Sequence, residues 1–483
     1  MKTVIYEPAT FLRKKYFDDT TIIFFDEYGW WLYENGNRQC IPFDKFGNIY
    51  SEHPKTTNPD LIRMLREWGP IWSRWTTKGD QYELMFREAL IQIHMISTAL
   101  KSLKVSTFIF GTGVSHHIDD MILQIACSSI EVKQIFLYSI GLGEYRLLPL
   151  EQLDGIDSRR PLGVNVSEFN HQSDISKLLT VKQSNEKHVN PFTNKRSINF
   201  ASSVVWLFRR KTVYFLRYFL LNLLHRKTNS KNSFEKFPDY ALSTHFEQMY
   251  QQRSALKYFS SRMKKITRPD KHSFEKYRIV IAAHYQPEAT SFPEGGELSN
   301  HVDIVMELRR LGYKGPLLYK EHPAINMYTA NIVEATRVGM SRSKRYYEQL
   351  EQLGCEFVDS SFNLSINPIE NDWYIPLTIT GTIALERSLA GFYTIVTGHP
   401  WFKGLPGMLQ LSEIESLSEI NQEWFQQDPN IAKKAYNFLD KMLSGKTIIN
   451  VIGTGTGIPL TDNDKMNSFA KEYDAMLTAI KSL

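Results

Sequence analysis

The sequence predicts an α/β protein with parallel sheets, and three observations lead to this prediction. Short apolar runs alternate with segments whose apolar residues recur at helical spacing, as in Val105–Phe110 and the following Ile118–Cys127. The same alternation returns between residues 278 and 396. At Trp373–Gly407, a strand, a tight turn, a helix and a second strand follow one another directly, which is the pattern of a βαβ unit. Such alternation favours parallel strands covered by helices.

Length and composition predict two domains of ordinary globular character. The chain has 483 residues, of which 42% are hydrophobic and 23% charged. Its net charge of +5 is too small to argue for nucleic acid as a partner. The three cysteines are far apart, without metal-ligand spacing, which favours a reducing cytosol. No signal peptide and no apolar run of about 20 residues is present, so we expect a cytoplasmic protein.

The first domain is assigned to residues 1–270, with strands and helices alternating along it. A Gly-containing loop at Gly141–Arg146 is expected to follow its last strand. The predicted strands are Thr3–Tyr6, Thr21–Phe25, Trp30–Tyr33, Val105–Phe110 and Gln134–Ser139, and the predicted helices are Tyr82–Leu103, Ile118–Cys127 and Tyr240–Lys265.

One segment of this domain, residues 204–227, is aromatic, basic and free of acidic residues. As a helix it would carry arginines such as Arg209 and Arg217 among aromatic side chains, which suits an anionic membrane surface. A helix packed between domains, with its arginines reaching to solvent, is the alternative. The segment therefore leaves open a peripheral position on the inner face of the plasma membrane.

The second domain is assigned to residues 271–463, and a closing helix to residues 464–483. Gly312 and Gly391 are expected to end two of its helices. The predicted strands are Arg278–Ala283, Gly315–Tyr319, Glu356–Val358, Tyr374–Ile379 and Phe392–Val396, and the predicted helices are Leu298–Leu311, Ser341–Leu353, Ile383–Ala390 and Asn430–Leu443.

The loops that follow these strands carry the residues with chemistry. In a parallel sheet the carboxyl ends of the strands face one edge, where ligands bind. The hydroxyl, amide, cationic and carboxylate groups gathered there suit a nucleotide. Singly, Glu386 could merely stabilise a helix start and His322 could be an ordinary loop histidine. The candidates are Gln286, Glu288, Lys320, His322, Ser360, Ser361, Thr380, Gly381, Thr382 and Glu386. The absence of a Walker A loop and of GxGxxG counts against P-loop NTPases and typical NAD enzymes.

Several motifs resemble those of bacterial capsule and surface-polysaccharide biosynthesis proteins. The motifs are YQPEAT (Tyr285–Thr290) followed by PEGG, KEHP (Lys320–Pro323), the Ser360–Ser361 pair and TGTIALE (Thr380–Glu386). They look like those of capsule Kdo transferases and related GT-B glycosyltransferases, and are also similar to those of GT-B sialyltransferases. In the first half, GVSHHIDDMILQIA (Gly113–Ala126) resembles a "PHH…D" segment of these proteins, although serine replaces the proline.

The resemblance implies a GT-B enzyme, in which two Rossmann-like domains with parallel sheets face each other across a cleft. The second domain would hold a nucleotide sugar and the first a glycan or glycolipid acceptor, without a metal ion or other cofactor. Lys320 and His322 would contact the donor phosphate. Thr380, Gly381 and Thr382 would cradle the phosphate, and Glu386 would hold the ribose. The Ser360–Ser361 pair would join this nucleotide-sugar site.

The candidate catalytic residues come from both halves of the chain. Gln286 and Glu288 would face the donor sugar, and Glu288 is counted as a catalytic candidate. An inverting enzyme also needs a general base for the acceptor hydroxyl. Asp119 is the first choice and His116 the second, although a carboxylate in a first helical turn often only stabilises the helix. A retaining enzyme would need no such base.

The predicted activity is transfer of a sugar to a growing capsular or lipopolysaccharide-type glycan. By the same resemblance, CMP-Kdo or another CMP-linked acid sugar is the first expected donor, and a UDP- or GDP-hexose the second. A polyol-phosphate transferase of the same fold and a non-catalytic GT-B-like scaffold remain as alternatives. Nucleic-acid binding is the least favoured, since no reader motif is present.

Overall fold

The chain forms two compact units. The first comprises Met1–Ser184 with Tyr436–Leu483, and the second comprises Asn185–Ala435. The computed structural model describes residues 2–6, 21–25, 29–34, 37–41, 90, 93–94, 96–98, 100–101, 104–110, 118–142, 144–152, 159–162, 251, 254–263, 279–284, 294–322, 342–358, 362, 364, 374–443, 448–449, 475 and 478–480. The predicted boundaries at residues 270 and 463 lie outside these ranges and stay predictions.

Each predicted strand is present, with ends that differ by a few residues, whereas the fourth, seventh, eighth, fourteenth and fifteenth strands were not predicted. The strands are β1 (Lys2–Tyr6), β2 (Thr21–Phe25), β3 (Gly29–Glu34), β4 (Asn37–Ile41), β5 (Val105–Phe110), β6 (Lys133–Leu142), β7 (Glu144–Gln152), β8 (Arg159–Pro161), β9 (Ile279–Ala282), β10 (Leu317–Lys320), β11 (Cys355–Val358), β12 (Ile375–Thr378), β13 (Thr394–Val396), β14 (Met408–Gln410) and β15 (Ile448–Ile449). The helices are α1 (Ile118–Ser128), α2 (His301–Arg310), α3 (Lys344–Gln352), α4 (Ile383–Leu389) and α5 (Pro429–Leu443). Residues 254–262 are also helical.

The first sheet is mixed, which corrects the prediction of a purely parallel one. Its strand order is β15-β7-β6-β5-β1-β2-β3-β4, with β8 beside β7. The central strands β2, β1, β5 and β6 are parallel, whereas β3, β4, β7, β8 and β15 join antiparallel. The predicted loop at Gly141–Arg146 is instead the tip of the β6–β7 hairpin. A connection this short permits only antiparallel pairing.

The second sheet is entirely parallel, as predicted. Its order is β11-β10-β9-β12-β13-β14. Counted within the sheet this is 3-2-1-4-5-6, the order of Rossmann-like sheets. The direction of winding therefore reverses between β9 and β12. In such sheets ligands bind beyond the carboxyl ends of the strands at this reversal.

Apolar layers on both faces fix this sheet. Ile279 and Ile281 of β9 face the larger core cluster, which includes Tyr319, Tyr347 and residues from α2 and α3. Val280, between them, faces a smaller cluster on the opposite side. Burial on both faces explains why these strands are continuous apolar runs rather than alternating ones.

Local signals set the helix ends of the second unit. The side chain of Asn300 accepts a hydrogen bond from the Val302 N–H at 2.9 Å and caps the start of α2. The end of α2 has Gly312 at φ +93°, and the Tyr313 N–H donates to the Leu308 carbonyl at 3.0 Å. The end of α4 has Gly391 at φ +86°. Both predicted glycine ends are confirmed, because this backbone region favours glycine.

Among the described residues, no helix is long and apolar enough to cross a membrane. The basic aromatic segment at residues 204–227 lies outside the described residues, so its predicted membrane contact stays a prediction.

Candidate functional site

The strand ends around the sheet reversal form a continuous hydrogen-bonded border, here named the carboxyl edge (residues 283–284, 320–322, 379–382 and 397–399). The Ala283 N–H donates to the Lys320 carbonyl at 2.9 Å, which joins the ends of β9 and β10. The Gly398 N–H donates to the Ile379 carbonyl at 2.9 Å, which joins the chain after β12 and β13. The predicted convergence of these strand ends is therefore present.

His284 connects the two strands that flank the reversal. It follows β9, and its ring nitrogens lie 3.4 Å from the Thr378 hydroxyl and 3.2 Å from the Thr380 hydroxyl of β12 and its turn. Burial lowers the pKa of His284 to about 3, and the nearby His322 and Arg342 contribute in the same direction. The imidazole is therefore neutral at pH 7 and exchanges hydrogen bonds with hydroxyls rather than acting as a cation.

The backbone of His284 is held on both sides. Its N–H donates to Nε2 of His301 at 3.2 Å, and its carbonyl accepts from Nη2 of Arg342 at 2.8 Å. Because Nε2 of His301 accepts, the proton of that neutral ring sits on Nδ1, 3.0 Å from the Tyr346 hydroxyl. Burial lowers the pKa of His301 as well, which keeps this arrangement neutral.

These hydrogen bonds continue as a chain from His301 to Glu321, in which every group donates in the same direction. Nδ1 of His301 donates to Tyr346, whose hydroxyl lies 2.9 Å from that of Tyr319. The Tyr319 hydroxyl donates to Oε2 of Glu321 at 3.2 Å. Each hydroxyl accepts from one neighbour and donates to the next, so the buried polar groups satisfy one another.

Glu321 and Arg342 form a buried ion pair beneath the edge. The side chains are 4% and 1% exposed, and their closest contact is Nε to Oε2 at 3.0 Å. A second contact joins Nη2 to Oε1 at 3.3 Å, so the pair is bidentate. The carboxylate also accepts from the His322 N–H and the Tyr347 hydroxyl, both at 2.8 Å. The guanidinium stacks over the Tyr346 ring at 4.8 Å.

Two of the predicted phosphate-contacting residues flank this carboxylate in the chain. Lys320 ends β10 and is half-buried, as is His322. Burial lowers the pKa of His322 to about 4, with Arg342 and Lys320 lowering it further and Glu321 raising it. His322 is therefore also neutral at pH 7.

The turn after β12 fits closely against His284. A Cβ atom on Gly381 would lie 2.5 Å from Oγ1 of Thr378 and 3.2 Å from Cε1 of His284, so only glycine fits. The Gly381 N–H donates to Oγ1 of Thr378 at 3.3 Å. Thr380 is buried, whereas Thr382, which precedes α4, is exposed and Glu386 is half-buried.

The glycine-rich loop at 397–407 packs against the PEGG segment. The His399 N–H donates to the Glu294 carbonyl at 2.7 Å. A Cβ on Gly398 would lie 2.7 Å from that carbonyl oxygen and 2.8 Å from Cγ2 of Thr380. The two glycine-containing motifs thus meet beside Thr380.

The predicted candidates Gln286, Glu288, Ser360, Ser361 and His116 lie outside the described residues. Asp119 lies in the first turn of α1, as predicted from the sequence. Within the described ranges, no group of three or more His, Cys, Asp or Glu residues is arranged to hold a metal ion.

Sequence reasoning missed the residues that organise the edge: His284, His301, Glu321 and Arg342. His284 carried a usable signal, as the first polar residue after an apolar strand. His301 lies inside an apolar helical pattern and Arg342 at a helix start, where neither attracts notice. Only the fold, which brings together residues 17 to 96 positions apart, identifies them.

Comparison of the chain with protein-family models, with curated proteins and with solved structures found no match in any of the three. The resemblance to polysaccharide biosynthesis proteins therefore depends on the motifs alone.

Proposed function

We propose that the protein is a glycosyltransferase of the GT-B type, and that its second unit binds a nucleotide-sugar donor at the carboxyl edge. One observation carries the proposal. At the reversal of the parallel sheet, His284 after β9 meets Thr380 after β12, beside a glycine turn that excludes any side chain. This is the position at which sheets of this order bind nucleotides.

The chemistry of the edge suits a phosphate ester. Lys320 supplies positive charge, and the hydroxyls of Thr380 and Thr382 supply hydrogen bonds. His284 and His322 are neutral, so each can donate or accept a hydrogen bond without repelling the ammonium group of Lys320. Stabilising the phosphate that leaves with the nucleotide is the main electrostatic task of glycosyl transfer without a metal.

The catalytic roles follow from the motifs. Glu386 would hold the ribose, and Gln286 and Glu288 would face the donor sugar. In the GT-B arrangement the acceptor comes from the first unit, where Asp119 would act as general base, with His116 as the second choice. The acceptor would be a capsular or lipopolysaccharide-type glycan.

Nucleotide binding tests the proposal directly. Thermal unfolding is measured with CMP, CDP, UDP, GDP and nucleotide sugars, for the wild type and for His322→Ala and Thr380→Val. A nucleotide at about 100 times its Kd should stabilise the wild type by about 2.7 kcal/mol. We expect that stabilisation to be reduced or lost in both variants.

Thr394→Val is the matched control, because Thr394 is a buried threonine in β13 with no place at the carboxyl edge. It should keep the full stabilisation. A wild type that responds to no nucleotide would contradict the proposal. Binding without release of nucleotide from any nucleotide sugar would favour the non-catalytic scaffold instead.

A further inference from the structure

Two loops of the carboxyl edge are tied by their backbones to one buried ion pair. Arg342 donates to the carbonyl of His284 at 2.8 Å, and Glu321 accepts from the N–H of His322 at 2.8 Å. The two side chains bind each other through two contacts, at 3.0 and 3.3 Å. The loop after β9 and the loop after β10 are therefore linked through a single guanidinium–carboxylate pair.

A buried ion pair is not a favourable way to stabilise a core. Removing both charges from water costs about as much free energy as their attraction returns, and apolar pairs of equal volume are often as stable or more so. This pair does something that apolar side chains cannot do, since it hydrogen-bonds to particular backbone atoms of two loops. Because Arg342 and Glu321 bind each other through two contacts, the pair also fixes the orientation of one loop relative to the other.

The bonded backbone groups belong to two histidines of the edge, His284 and His322. His284 is held at its carbonyl by Arg342 and at its N–H by His301. The N–H of His322 is held by Glu321. With the backbone fixed, the ring of His284 stays within 3.2 Å of the Thr380 hydroxyl. Arg342 is fully buried, so its role is exerted through its neighbours.

We infer that Glu321 and Arg342 are a positioning pair, which fixes His284 and His322 relative to Thr380 and thereby sets the affinity for the donor nucleotide. The consequence for affinity rests on the proposed function, whereas the fixing of the two histidines does not. The pair itself is buried, so it acts through the two histidines and not by contact with the nucleotide.

A second arginine of the same unit provides the matched control. Arg309 donates four hydrogen bonds to backbone carbonyls, those of Leu353 (3.0 and 2.7 Å), Tyr313 (2.8 Å) and Gly315 (2.7 Å). These carbonyls precede β10 and β11, at the opposite end of the sheet. Arg309 thus organises loops in the same manner but away from the proposed site.

The experiment compares Arg342→Lys, Glu321→Gln and Arg309→Lys in the full-length protein. A lysine keeps the charge but cannot reproduce the two-pronged contact. Calorimetric titration gives the Kd of whichever nucleotide stabilises the wild type, at a temperature where every variant is folded. The imidazole resonances of isotope-labelled histidine are recorded in parallel without nucleotide, and are assigned with His284→Gln and His322→Gln.

We expect Arg342→Lys and Glu321→Gln to raise the Kd about tenfold or more, which corresponds to the loss of about one hydrogen bond to the nucleotide. Both should also move the resonances of His284 and His322. Arg309→Lys should lower the melting temperature while leaving the Kd and both resonances unchanged.

Unchanged histidine resonances and an unchanged Kd in both edge variants would overturn the inference. If Arg342→Lys does not fold, Glu321→Gln, which keeps the side-chain shape, decides the question. If the wild type binds no nucleotide, the proposed function fails, and the resonances alone then decide whether the pair fixes the two histidines.

Discussion

The two edges of the second sheet are built in different ways. At the amino edge (residues 311–316, 353–354 and 390–393), α2, α3 and α4 each end at a glycine of positive φ: Gly312 at +93°, Gly354 at +88° and Gly391 at +86°. The closing hydrogen bonds there span three to five residues, as from Phe392 N–H to the Arg387 carbonyl. The long-range side-chain bonds of Arg309 at this edge go to backbone carbonyls alone. At the carboxyl edge, polar side chains from distant parts of the chain also bond to one another, as Arg342 does to Glu321 and His284 to Thr380.

The difference separates turns that are closed by backbone hydrogen bonds from a network of polar side chains. A helix end at glycine is closed by hydrogen bonds between nearby backbone groups. The glycine itself offers no side chain that could bind a ligand. The network at the carboxyl edge instead keeps the buried imidazoles of His284 and His301, the half-buried imidazole of His322, an ion pair and two threonine hydroxyls in fixed positions. Such networks carry a desolvation cost, and a network whose polar groups are all hydrogen-bonded holds its members in one arrangement.

The largest expected contrast between the edges is their response to acid. Burial lowers the pKa of His284 to about 3, that of His322 to about 4, and that of His301 well below its usual value. Each unfolded imidazole titrates near pH 6.5. Their contribution to stability is therefore complete above pH 6.5 and is lost as the pH falls towards the folded pKa values.

By pH 5 the imidazoles of His284 and His322 should each have removed about 2 kcal/mol from the free energy of unfolding, and that of His301 should lower it in the same direction. Urea unfolding at pH 7 and pH 5 measures this loss in the wild type and in His301→Gln. The variant should lose less stability than the wild type between the two pH values, whereas Arg309→Lys, at the amino edge, should keep the wild-type loss. An equal loss in His301→Gln and the wild type would contradict the assignment.

The amino edge should be sensitive to shape instead. Gly312→Ala places a residue at φ +93° where the nearest atom, Cβ of Ser418, is 3.4 Å away, and should cost about 1–2 kcal/mol. Gly391→Ala has the same backbone strain and also places a Cβ only 2.6 Å from the Asp428 carbonyl oxygen. It should therefore lower the free energy of unfolding by about 2–5 kcal/mol.

Denaturant unfolding of the two glycine variants checks this order. Neither variant should change nucleotide affinity, because both residues lie away from the carboxyl edge. Equal costs for Gly312→Ala and Gly391→Ala would show that Asp428 moves aside freely. A change in affinity would show that the two edges are coupled.

The same division explains what the sequence could predict. The parallel second sheet, the βαβ unit after residue 373 and the helix ends at Gly312 and Gly391 depend on local pattern, and all were predicted. The antiparallel β6–β7 hairpin was missed because its strands continue through Gly141, where a loop was expected. Within KEHP, Lys320 and His322 attracted attention, whereas Glu321 gains its role only from Arg342, 21 residues later.

The smallest expected effect concerns two buried threonines, one at each edge of the second sheet. Thr380 lies at the carboxyl edge with its hydroxyl 3.2 Å from His284, whereas the hydroxyl of Thr394 at the start of β13 has no hydrogen-bond partner within the described residues. Thr394 is fully buried, so its hydroxyl has lost its hydrogen bonds to water without a replacement.

Thr394→Val keeps the shape of the side chain and removes that hydroxyl, and should raise the free energy of unfolding by about 1 kcal/mol. Thr380→Val should lower it by a similar amount, since it leaves His284 with one hydrogen bond fewer. Urea unfolding of the two variants at pH 7 measures both changes, and destabilisation by Thr394→Val would mean that a group outside the described residues binds its hydroxyl.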